Sequence, residues 1–401
     1  MAGNLRDRLK RIQQVKQTAV RENISRDADI SALIGQGWVS AGHLTLRREI
    51  TTNETMVLPG KMPEAAGIVM PGICGTASYG DLLFFDLETI GLTGAGTVAF
   101  LAAFGRLTIA GKAGPNMISA RLMITQYLLL DYPGENCFID ALLSEFNRTS
   151  AESLTMISYN GKSFDSQILK TRCLMHGFAP PEYRHADLLY PSRRLWKHIL
   201  PDCSQATIEK TILGIDREDD IPGIMAPDIW FAFLKRGETE PLIKICEHNR
   251  MDIAGLAAIF RAMACIAGDP IMMAKKINYD AEALALRWYK NNQATGEALL
   301  CHAAARGYPL AQLRYGLVLL KTQQGGEGRE WLYRAADKSH PPAVQIAALR
   351  ALAIDSEHRL NNATEAIECA MQGMELLPPD SSRRKEFERR IQRLKCLKSK
   401  R

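Results

Sequence analysis

The sequence predicts an α/β domain built on a mixed sheet, followed by an all-helical region. Three strand-like apolar runs follow one another from residue 82, in LLFFDLE, GTVAFLAAFGRL and MITQYLLL, and their short connections are typical of an antiparallel meander. Helix-like and strand-like segments then alternate up to about residue 267. Beyond residue 280 the strand signals end, and only helical periodicity remains.

The composition predicts a globular protein of two or more domains. The chain has 401 residues, of which 46% are hydrophobic and 23% are charged. Its nine cysteines are scattered without a CxxC pair or a cysteine/histidine spacing that would hold zinc. No apolar run approaches the roughly 20 residues of a membrane span, and the basic N-terminus lacks the apolar stretch of a signal peptide. We therefore expect a cytoplasmic protein with reduced thiols.

Positive charge is concentrated at the two ends of the chain. The overall charge is +6, but residues 1–26 carry +5 and residues 381–401 carry +8, which leaves −7 for the rest. The first interpretation is that both ends are arms that meet a polyanion. The second is that they are solvated amphipathic helices. The predicted organisation assigns residues 1–80 to a basic amphipathic helix and short β segments, and residues 381–401 to a basic tail.

The segment from residue 81 to residue 267 is predicted to be a single domain. After the meander, we expect a helix from about residue 134 to 148, a strand in SLTMISYNG and a helix that begins near Ser163. A long apolar-periodic stretch from Pro241 to about Ala267 predicts the closing helix. Gly255 is predicted to let this helix approach the sheet closely.

Residues 280–380 contain a repeat with a period of 32. The matching positions pair Ala303 with Ala335, Ala304 with Ala336, Pro309 with Pro341 and Ala311 with Ala343, and a weaker third copy begins at Glu365. Such periods indicate helix-turn-helix repeats, and the segment resembles a short tetratricopeptide or Sel1-like array. Repeats of this kind usually bind a partner protein, but they can also serve only to pack against a neighbouring domain.

Two acidic residues interrupt the first strand of the meander. Asp86 and Glu88 lie in FFDLETIGL, and residues two apart on a strand point to the same face. Their like charges repel, so a positive group is expected between them. A lysine or arginine would serve, and so would a divalent metal ion.

Three further residues have the character of metal-site groups. Asp165 stands in YNGKSFDSQIL, where a strand ends and a helix begins. Asp252 stands on the closing helix, with His248 four residues earlier and therefore on the same face. Four carboxylates could thus converge at one edge of the sheet. Hard oxygen ligands without a thiolate suit Mg²⁺ or Mn²⁺.

These motifs resemble a known family. In order and spacing, FDLETIGL, NGKSFD and HNRMD are similar to the three exonuclease motifs of the DEDD superfamily, the ribonuclease H-like 3′ to 5′ exonucleases. FFDLETIGLTGAGTVAFL, YPSRRLWK and EHNRMDIAGL are more closely similar to the bacterial YprB-type ribonuclease H-like domain. This resemblance covers roughly residues 81–266. It implies a ribonuclease H-like mixed sheet flanked by helices.

The resemblance also implies the roles of the site residues. Asp86, Glu88 and Asp252 would ligate two metal ions, Asp165 would hold one ion through water, and His248 would accept the proton of the attacking water. The histidine-type DEDD nucleases have four residues between the histidine and the last aspartate, whereas HNRMD has three, the spacing of the tyrosine type. His248 is therefore expected either to deprotonate or to orient the water.

Two segments are candidates for contacts with nucleic acid. The first comprises Thr89, Gly91 and the GAGT loop at 94–97, which also suit a plain turn, together with Asn160 and Lys162 of NGKSFD. The second is YRHADLLYPSRRLWKH, which offers the group Arg193, Arg194, Trp196 and Lys197. Basic groups and aromatic rings together suit a single strand, although a helix with Trp196 packed inward would have the same sequence.

Three functions are compatible with this pattern. The first is a metal-dependent exonuclease acting at 3′ ends, and the second is a structure-dependent endonuclease on the same scaffold. The third is an adaptor that binds nucleic acid and recruits a protein partner through its repeats. The complete set of four acids favours the two enzymes over the adaptor.

Overall fold

The fold is that of a computed structural model, which describes residues 30–91, 96–217, 219–291 and 293–398. The chain divides into two compact units. The first contains residues up to 191 together with 202–268, and the second contains 192–201 and the residues from 269 onwards. The predicted N-terminal amphipathic helix and the first two residues of the predicted GAGT loop, 94 and 95, lie outside the described residues, as do residues 92, 93, 218, 292 and 399–401.

The described residues of the first unit form eight strands and the helices that surround them. The strands are β1 (Val39–Gly42), β2 (Thr45–Thr51), β3 (Met56–Pro59), β4 (Leu82–Thr89), β5 (Ala99–Gly114), β6 (Met117–Leu129), β7 (Thr155–Ser158) and β8 (Arg184–Asp187). The helices are α1 (Ser31–Ile34), α2 (Ala66–Val69), α3 (Glu135–Phe146), α4 (Asp165–Met175), α5 (Leu189–Trp196), α6 (Gln205–Ile208), α7 (Ala226–Arg236) and α8 (Thr239–Gly268). A short π-helical turn, Glu209–Leu213, follows α6.

The strands form one mixed sheet in the order β1-β2-β6-β5-β4-β7-β8, with β3 also paired to β6. β4, β5 and β6 pair antiparallel, which is the predicted meander. β7 and β8 extend the sheet on the other side of β4, and both pairings there are parallel. The predicted α/β class with a mixed sheet is confirmed.

Strand β4 is central because both of its faces are covered. Phe84 packs edge-on against Phe260 of α8, with ring centroids 5.5 Å apart. The next residue, Phe85, points to the opposite face and meets Phe146 of α3 at 6.0 Å. A strand covered on both faces is apolar at successive positions, which accounts for the run of apolar residues before Asp86.

Helix α8 lies against the sheet at Gly105 of β5. A Cβ added at Gly105 would lie 2.6 Å from Cγ2 of Ile253 and 3.1 Å from Cβ of Phe84, so a larger residue would push the helix away. The prediction that Gly255 serves this purpose is wrong, because a Cβ there would meet Glu209 of the π-helical turn. The close approach therefore depends on a glycine of the sheet.

Helix α8 is the one described helix that is long and apolar enough to span a membrane. Of its most apolar window, 67% is buried inside the protein. It qualifies by length and composition, although charged residues interrupt its apolar stretches. Burial of this kind is typical of the core helix of a globular domain.

The second unit is helical in all its described elements. Besides the last residues of α5, it contains α9 (Pro270–Met273), α10 (Ala281–Asn291), α11 (Gln293–Ala305), α12 (Pro309–Leu319), α13 (Gly325–Ala335), α14 (Pro342–His358), α15 (Ala363–Glu375) and α16 (Ser382–Lys398). Consecutive helices pack against each other from α10 to α16. The all-helical character that was predicted beyond residue 280 is confirmed.

The 32-residue period coincides with a repeated helix pair. Helices α11 and α12 recur as α13 and α14, and Ala303 and Ala335 are buried near the ends of α11 and α13. Pro309 is the first residue of α12, and Pro341 immediately precedes α14. Each proline thus stands where its missing N–H and fixed φ favour the start of a helix. The assignment to tetratricopeptide or Sel1-like repeats stays a prediction.

Residues 382–398 form a packed amphipathic helix, which was one of the two interpretations of the basic C-terminal segment. Phe387, Ile391 and Leu394 are buried along one face of α16. Arg390 and Arg393 pair with Glu357 of α14. The basic charge of the C-terminus therefore lies on the outer face of a helix that belongs to the second unit.

The two units differ from the predicted domain boundaries in two respects. The first unit includes strands that precede residue 81, because β2 and β3 pair with β6 of the meander. Residues 192–201 belong to the second unit, in which the indole N–H of Trp196 donates to the carbonyl oxygen of Asn278 at 3.0 Å. Both differences arise from long-range pairing, which local patterns do not report.

Candidate metal centre

Strand β4 presents Asp86 and Glu88 near its C-terminal end, on the face that carries Phe84. This is the face that α8 covers, and Nδ2 of Asn249 on α8 donates to Oδ2 of Asp86 at 2.7 Å. The pairing of β4 with β5 shifts register between Glu88 and Thr89, so the ladder becomes irregular where the acids stand. The two carboxylates therefore lie at the end of the regular strand, between the sheet and α8.

Asp165 is presented by the turn between β7 and α4. Asp187, at the end of β8, accepts the backbone N–H groups of Asn160 at 2.8 Å and Lys162 at 3.1 Å, which fixes this turn. Asn160 has a φ of +66°, a conformation that asparagine tolerates better than most residues. At Gly161 an added Cβ would lie 2.7 Å from Oδ2 of Asp165, so the glycine leaves space for the carboxylate.

Helix α8 supplies His248 and Asp252 from one face. One ligand atom from each of Glu88, His248 and Asp252 lies within 4.8 Å of the other two. Nε2 of His248 is 3.2 Å from Oδ2 of Asp252. Carboxylate oxygens and an imidazole nitrogen at this spacing form a donor set that fits a divalent ion.

The four predicted carboxylates disfavour one another's ionised forms. Burial raises the pKa of Asp86 well above its usual value, and the charges of Asp252, Asp165 and Glu88 raise it further. Burial, Asp252 and Asp165 also raise the pKa of Glu88. Burial raises the pKa of Asp165 to about 7. These pKa shifts include repulsion among the predicted carboxylates, and a bound cation would relieve that repulsion.

Asp252 belongs to a closed ring of four charged or titratable groups. Nη2 of Arg217 lies 2.8 Å from Oδ1 of Asp252, and Nη1 of Arg217 lies 3.3 Å from Oδ2 of Asp220. Asp220 contacts Nδ1 of His248 at 2.6 Å, and His248 contacts Asp252 through Nε2. Each carboxylate thus bridges the arginine and the histidine. Arg217 is the positive group that this site contains, but it pairs with Asp252, while Asp86 and Glu88 have no lysine or arginine within ion-pair distance in the described chain.

Arg217 is held by a buried acid of the π-helical turn. Both oxygens of Glu209 accept from it, Oε2 from Nε at 2.6 Å and Oε1 from Nη2 at 2.8 Å. The side chain of Glu209 is 1% exposed and that of Arg217 is 9% exposed. Gln205 donates both to Glu209 and to the backbone oxygen of Asp252. The ring is therefore anchored in the protein interior.

A second buried chain of hydrogen bonds begins on strands β2 and β6 and reaches Asp86 through α8. Nε and Nη2 of Arg48 donate to Oε1 of Gln126 at 3.2 and 2.6 Å. Nε2 of Gln126 donates to Oδ1 of Asn249 at 3.0 Å, and Asn249 donates to Asp86. This order leaves each amide in a single orientation, because its oxygen accepts and its nitrogen donates. The chain fixes one oxygen of Asp86.

Sequence reasoning missed the residues that orient the metal-site groups. They are Arg48, Gln126, Glu209, Arg217, Asp220 and Asn249. Asn249 gave a signal that could have been used, since it is a polar residue four positions from both Ile245 and Ile253, where the helical periodicity predicts an apolar side chain. The segment IDREDD at 215–220 gave another, because alternating charges beside a predicted site suggest ion pairing. Neither signal identifies its partner.

The predicted nucleic-acid contacts of the first unit lie around the carboxylates. The hydroxyl of Thr89 donates to the backbone oxygen of Gly91 at 2.7 Å, which is the plain turn that the sequence also allowed. Asn160 and Lys162 belong to the turn that carries Asp165, and the side chain of Lys162 is exposed. Contact of these four residues with nucleic acid stays a prediction.

The predicted contacts in YPSRRLWK require a correction. Trp196 is fully buried, so it cannot stack on a base, and the packing interpretation of this helix is the right one for it. Arg193 and Lys197 are exposed, and Arg194 is half-buried. These basic residues belong to the second unit, whereas the carboxylates belong to the first.

Comparison with known proteins places this geometry in a family. Residues 83–264 match a family model described as RNase_H superfamily. Over 311 residues the chain is 32% identical to a protein of Bacillus subtilis (strain 168) described as "Uncharacterized protein YprB". That alignment covers 73% of this chain and 69% of the relative. The matched segment contains every residue of the candidate metal centre.

Proposed function

The chain belongs to the ribonuclease H superfamily, and from this premise we propose that it is a metal-dependent nuclease that removes nucleotides from 3′ ends. The superfamily generally hydrolyses nucleic acids, so a nucleic-acid substrate follows from membership alone. The observation that supports a metal-dependent reaction is the set of ligand atoms from Glu88, His248 and Asp252 within 4.8 Å of one another. The order of the three motifs supports action at 3′ ends.

The residues present fit divalent ions. Asp86, Glu88 and Asp252 are proposed to hold two Mg²⁺ or Mn²⁺ ions, with Asp165 contributing through water, because these four hard carboxylates interact with one another. When bound, such ions supply positive charge that stabilises the developing charge on the attacking and leaving oxygens of a phosphodiester. The hydrogen bond from Asn249 keeps Asp86 turned toward its neighbours before any ion binds.

His248 is proposed to accept the proton of the attacking water. Asp220 contacts Nδ1 at 2.6 Å, so in the neutral ring Nδ1 carries the proton and Nε2 has the lone pair that accepts one. Nε2 is the atom that lies beside Asp252. Asp220 therefore acts as a positioning residue, since it selects the tautomer and the orientation of the imidazole.

Replacing His248 with alanine is expected to lower the cleavage rate by about 10² to 10⁴ without abolishing it, because proton transfer typically contributes that much. Asp220→Asn should lower the rate by a smaller factor, since the imidazole remains but its tautomer is no longer selected. Single-turnover rates at saturating substrate measure both. If the two variants cleave at the wild-type rate, His248 and Asp220 have no part in the reaction.

The proposed function is tested with end-labelled single- and double-stranded DNA and RNA, in Mg²⁺, in Mn²⁺ and in EDTA. A ladder of products shortened progressively from the 3′ end, seen only with metal, is the expected result. Discrete internal cuts would replace the exonuclease with a structure-dependent endonuclease on the same scaffold. Binding without cleavage of any substrate would overturn the enzymatic assignment and leave an adaptor that recruits a partner through its repeats.

A further inference from the structure

A basic cavity lies between two helices of the second unit. Its volume is about 590 Å³, and it is lined by Arg194, Ala283, Leu286, Arg287 and Lys290. Three of these five residues are cations, and none is acidic. A cavity with this lining attracts anions.

The cations reach the cavity from both sides. Ala283, Leu286, Arg287 and Lys290 stand at positions i, i+3, i+4 and i+7, so they share one face of α10. Arg194 is contributed by α5. Arg193 and Lys197 stand on the same helix as Arg194, and both are exposed. The positive charge of the cavity therefore continues onto the adjoining surface.

Among the described residues, the charge of Arg194 has no ion-pair partner. Its Nη1 is enclosed and has no hydrogen-bond partner among the described residues. No described carboxylate lies within ion-pair distance of its guanidinium. Burial lowers its pKa, and the neighbouring charge of Arg287 lowers it further. An enclosed guanidinium group that has no ion pair among the described residues, beside an open cavity, is stabilised when an anion enters.

We propose that this cavity, formed by Arg194, Arg287 and Lys290, binds phosphate groups of a nucleic-acid strand. The inference deepens the proposed function, on which it rests, and it names a binding site apart from the carboxylates of the first unit. Arginine pairs bind phosphate oxygens through several N–H groups at once, and successive phosphates of one strand would use the cavity and the exposed cations beside it. A nucleic acid supplies such a row of phosphates at regular spacing.

The test measures binding of the full-length protein to a short fluorescent single strand in EDTA, where hydrolysis cannot interfere. The variant Arg194→Gln/Arg287→Gln/Lys290→Gln is expected to bind more weakly. Its plot of log affinity against log salt should be shallower by about 2, since each phosphate contact in a single strand contributes about 0.7. The double variant Arg287→Gln/Lys290→Gln retains the half-buried arginine and should show about two thirds of that change.

A matched control removes the same charge elsewhere in the second unit. Arg314, Lys321 and Lys338 are exposed and do not line the cavity, so replacing all three with glutamine tests the effect of net charge alone. The control should change the salt slope by less than half as much as the cavity variant. Equal salt slopes for the two triple variants, with both folded as judged by their melting temperatures, would overturn the proposal.

Two further probes distinguish the source of the anion. Inorganic phosphate and a nucleoside monophosphate are expected to compete with the strand only at far higher phosphate concentration, because they cannot use several cations at once. Competition at equal phosphate concentration would contradict the proposal and show that the cavity binds a small phosphate ligand. Polyglutamate of equal charge is the second probe. If it displaces the strand from the wild type but not from the cavity variant, the ligand is an acidic protein and the proposal is wrong.

The proposal and the proposed function can fail separately. If wild-type protein cleaves nucleic acid with metal but the cavity variant binds like the control, the cavity is not the binding site and the nuclease assignment stands. If wild-type protein cleaves no substrate but loses binding on the cavity substitutions, the site stands and the nuclease assignment fails.

Discussion

Replacing Asp86 with asparagine is expected to abolish hydrolysis without unfolding the protein. Asp86 lies on the central strand, and its carboxylate interacts with the charges of Asp252, Asp165 and Glu88. Asparagine has nearly the same shape, and its side-chain oxygen can still accept the hydrogen bond from Asn249. The substitution therefore removes the charge that a metal pair requires while keeping the packing. The loss should exceed that of His248→Ala, because it removes metal binding rather than proton transfer alone.

The melting temperature of Asp86→Asn in EDTA also tests whether Asp86 is a metal ligand. Burial and three neighbouring carboxylates raise the pKa of Asp86 in the folded protein, which means that its ionised form destabilises the fold when no cation is bound. The asparagine side chain has no charge to bury, so the melting temperature of Asp86→Asn in EDTA should equal or exceed that of the wild type. Added Mn²⁺ should stabilise the wild type and have less effect on the variant.

Asp140→Asn is the matched control, because Asp140 is an exposed acid on α3, away from the carboxylate cluster. It should keep wild-type cleavage and the wild-type response to Mn²⁺. A clearly lower melting temperature of Asp86→Asn in EDTA, combined with retained cleavage in Mn²⁺, would show that Asp86 is held by a structural cation instead. The metal-site assignment would then be wrong.

The parts of the site that the sequence predicted are those that local geometry determines. Asp86 and Glu88 share a face because they are two apart on a strand, and His248 and Asp252 share a face because they are four apart on a helix. Their convergence then follows from the order of strands and helices in an α/β domain. The described structure brings ligand atoms of Glu88, His248 and Asp252 within 4.8 Å of one another, and Asp86 interacts with the charges of Asp252 and Glu88. The mixed sheet was predictable for the same reason, since each run of apolar residues predicts one strand or one helix.

The parts that could not be predicted depend on contacts between distant segments. Arg217 pairs with Asp252 across 35 positions of the chain, and Gln126 bonds to Asn249 across 123. Nothing in the local pattern of IDREDD states which acid its arginine will meet. Trp196 shows the same limit, because a tryptophan among arginines is equally compatible with stacking on a base and with packing inward. The burial of Trp196 distinguishes these two interpretations, and burial depends on the whole fold.

The contact between Gly255 and Glu209 is expected to affect both the stability of the protein and the candidate metal centre. In most helix interiors, glycine to alanine is stabilising by about 1 kcal/mol, because alanine has the higher helix propensity. At Gly255 an added Cβ would lie 1.6 Å from Oε1 and 2.3 Å from Cδ of Glu209, so the carboxylate has to move. The side chain of Glu209 is 1% exposed, so the carboxylate cannot move out into solvent.

Gly255→Ala is therefore expected to destabilise the protein by about 3 to 5 kcal/mol, the range for breaking a buried ion pair. Displacing Glu209 takes the bidentate partner from Arg217, and Arg217 holds Asp252 in place. Cleavage at a temperature where the variant is still folded should fall as well. Denaturant unfolding and single-turnover rates measure the two effects.

Gly268→Ala and a double variant show whether Glu209 is the cause. Gly268 lies on the same helix, but a Cβ there would meet Pro59 and Pro63 only at 3.7 Å, an ordinary contact, so its replacement should change stability by less than about 1 kcal/mol. Glu209→Ala added to Gly255→Ala removes the colliding carboxylate, and Arg217 keeps Asp252 and Asp220 as partners. The double variant should therefore be more stable than the sum of the two single losses predicts. Strict additivity would mean that the collision at Gly255 is relieved by a shift of the helix, and that the link from Gly255 through Glu209 and Arg217 to Asp252 does not exist.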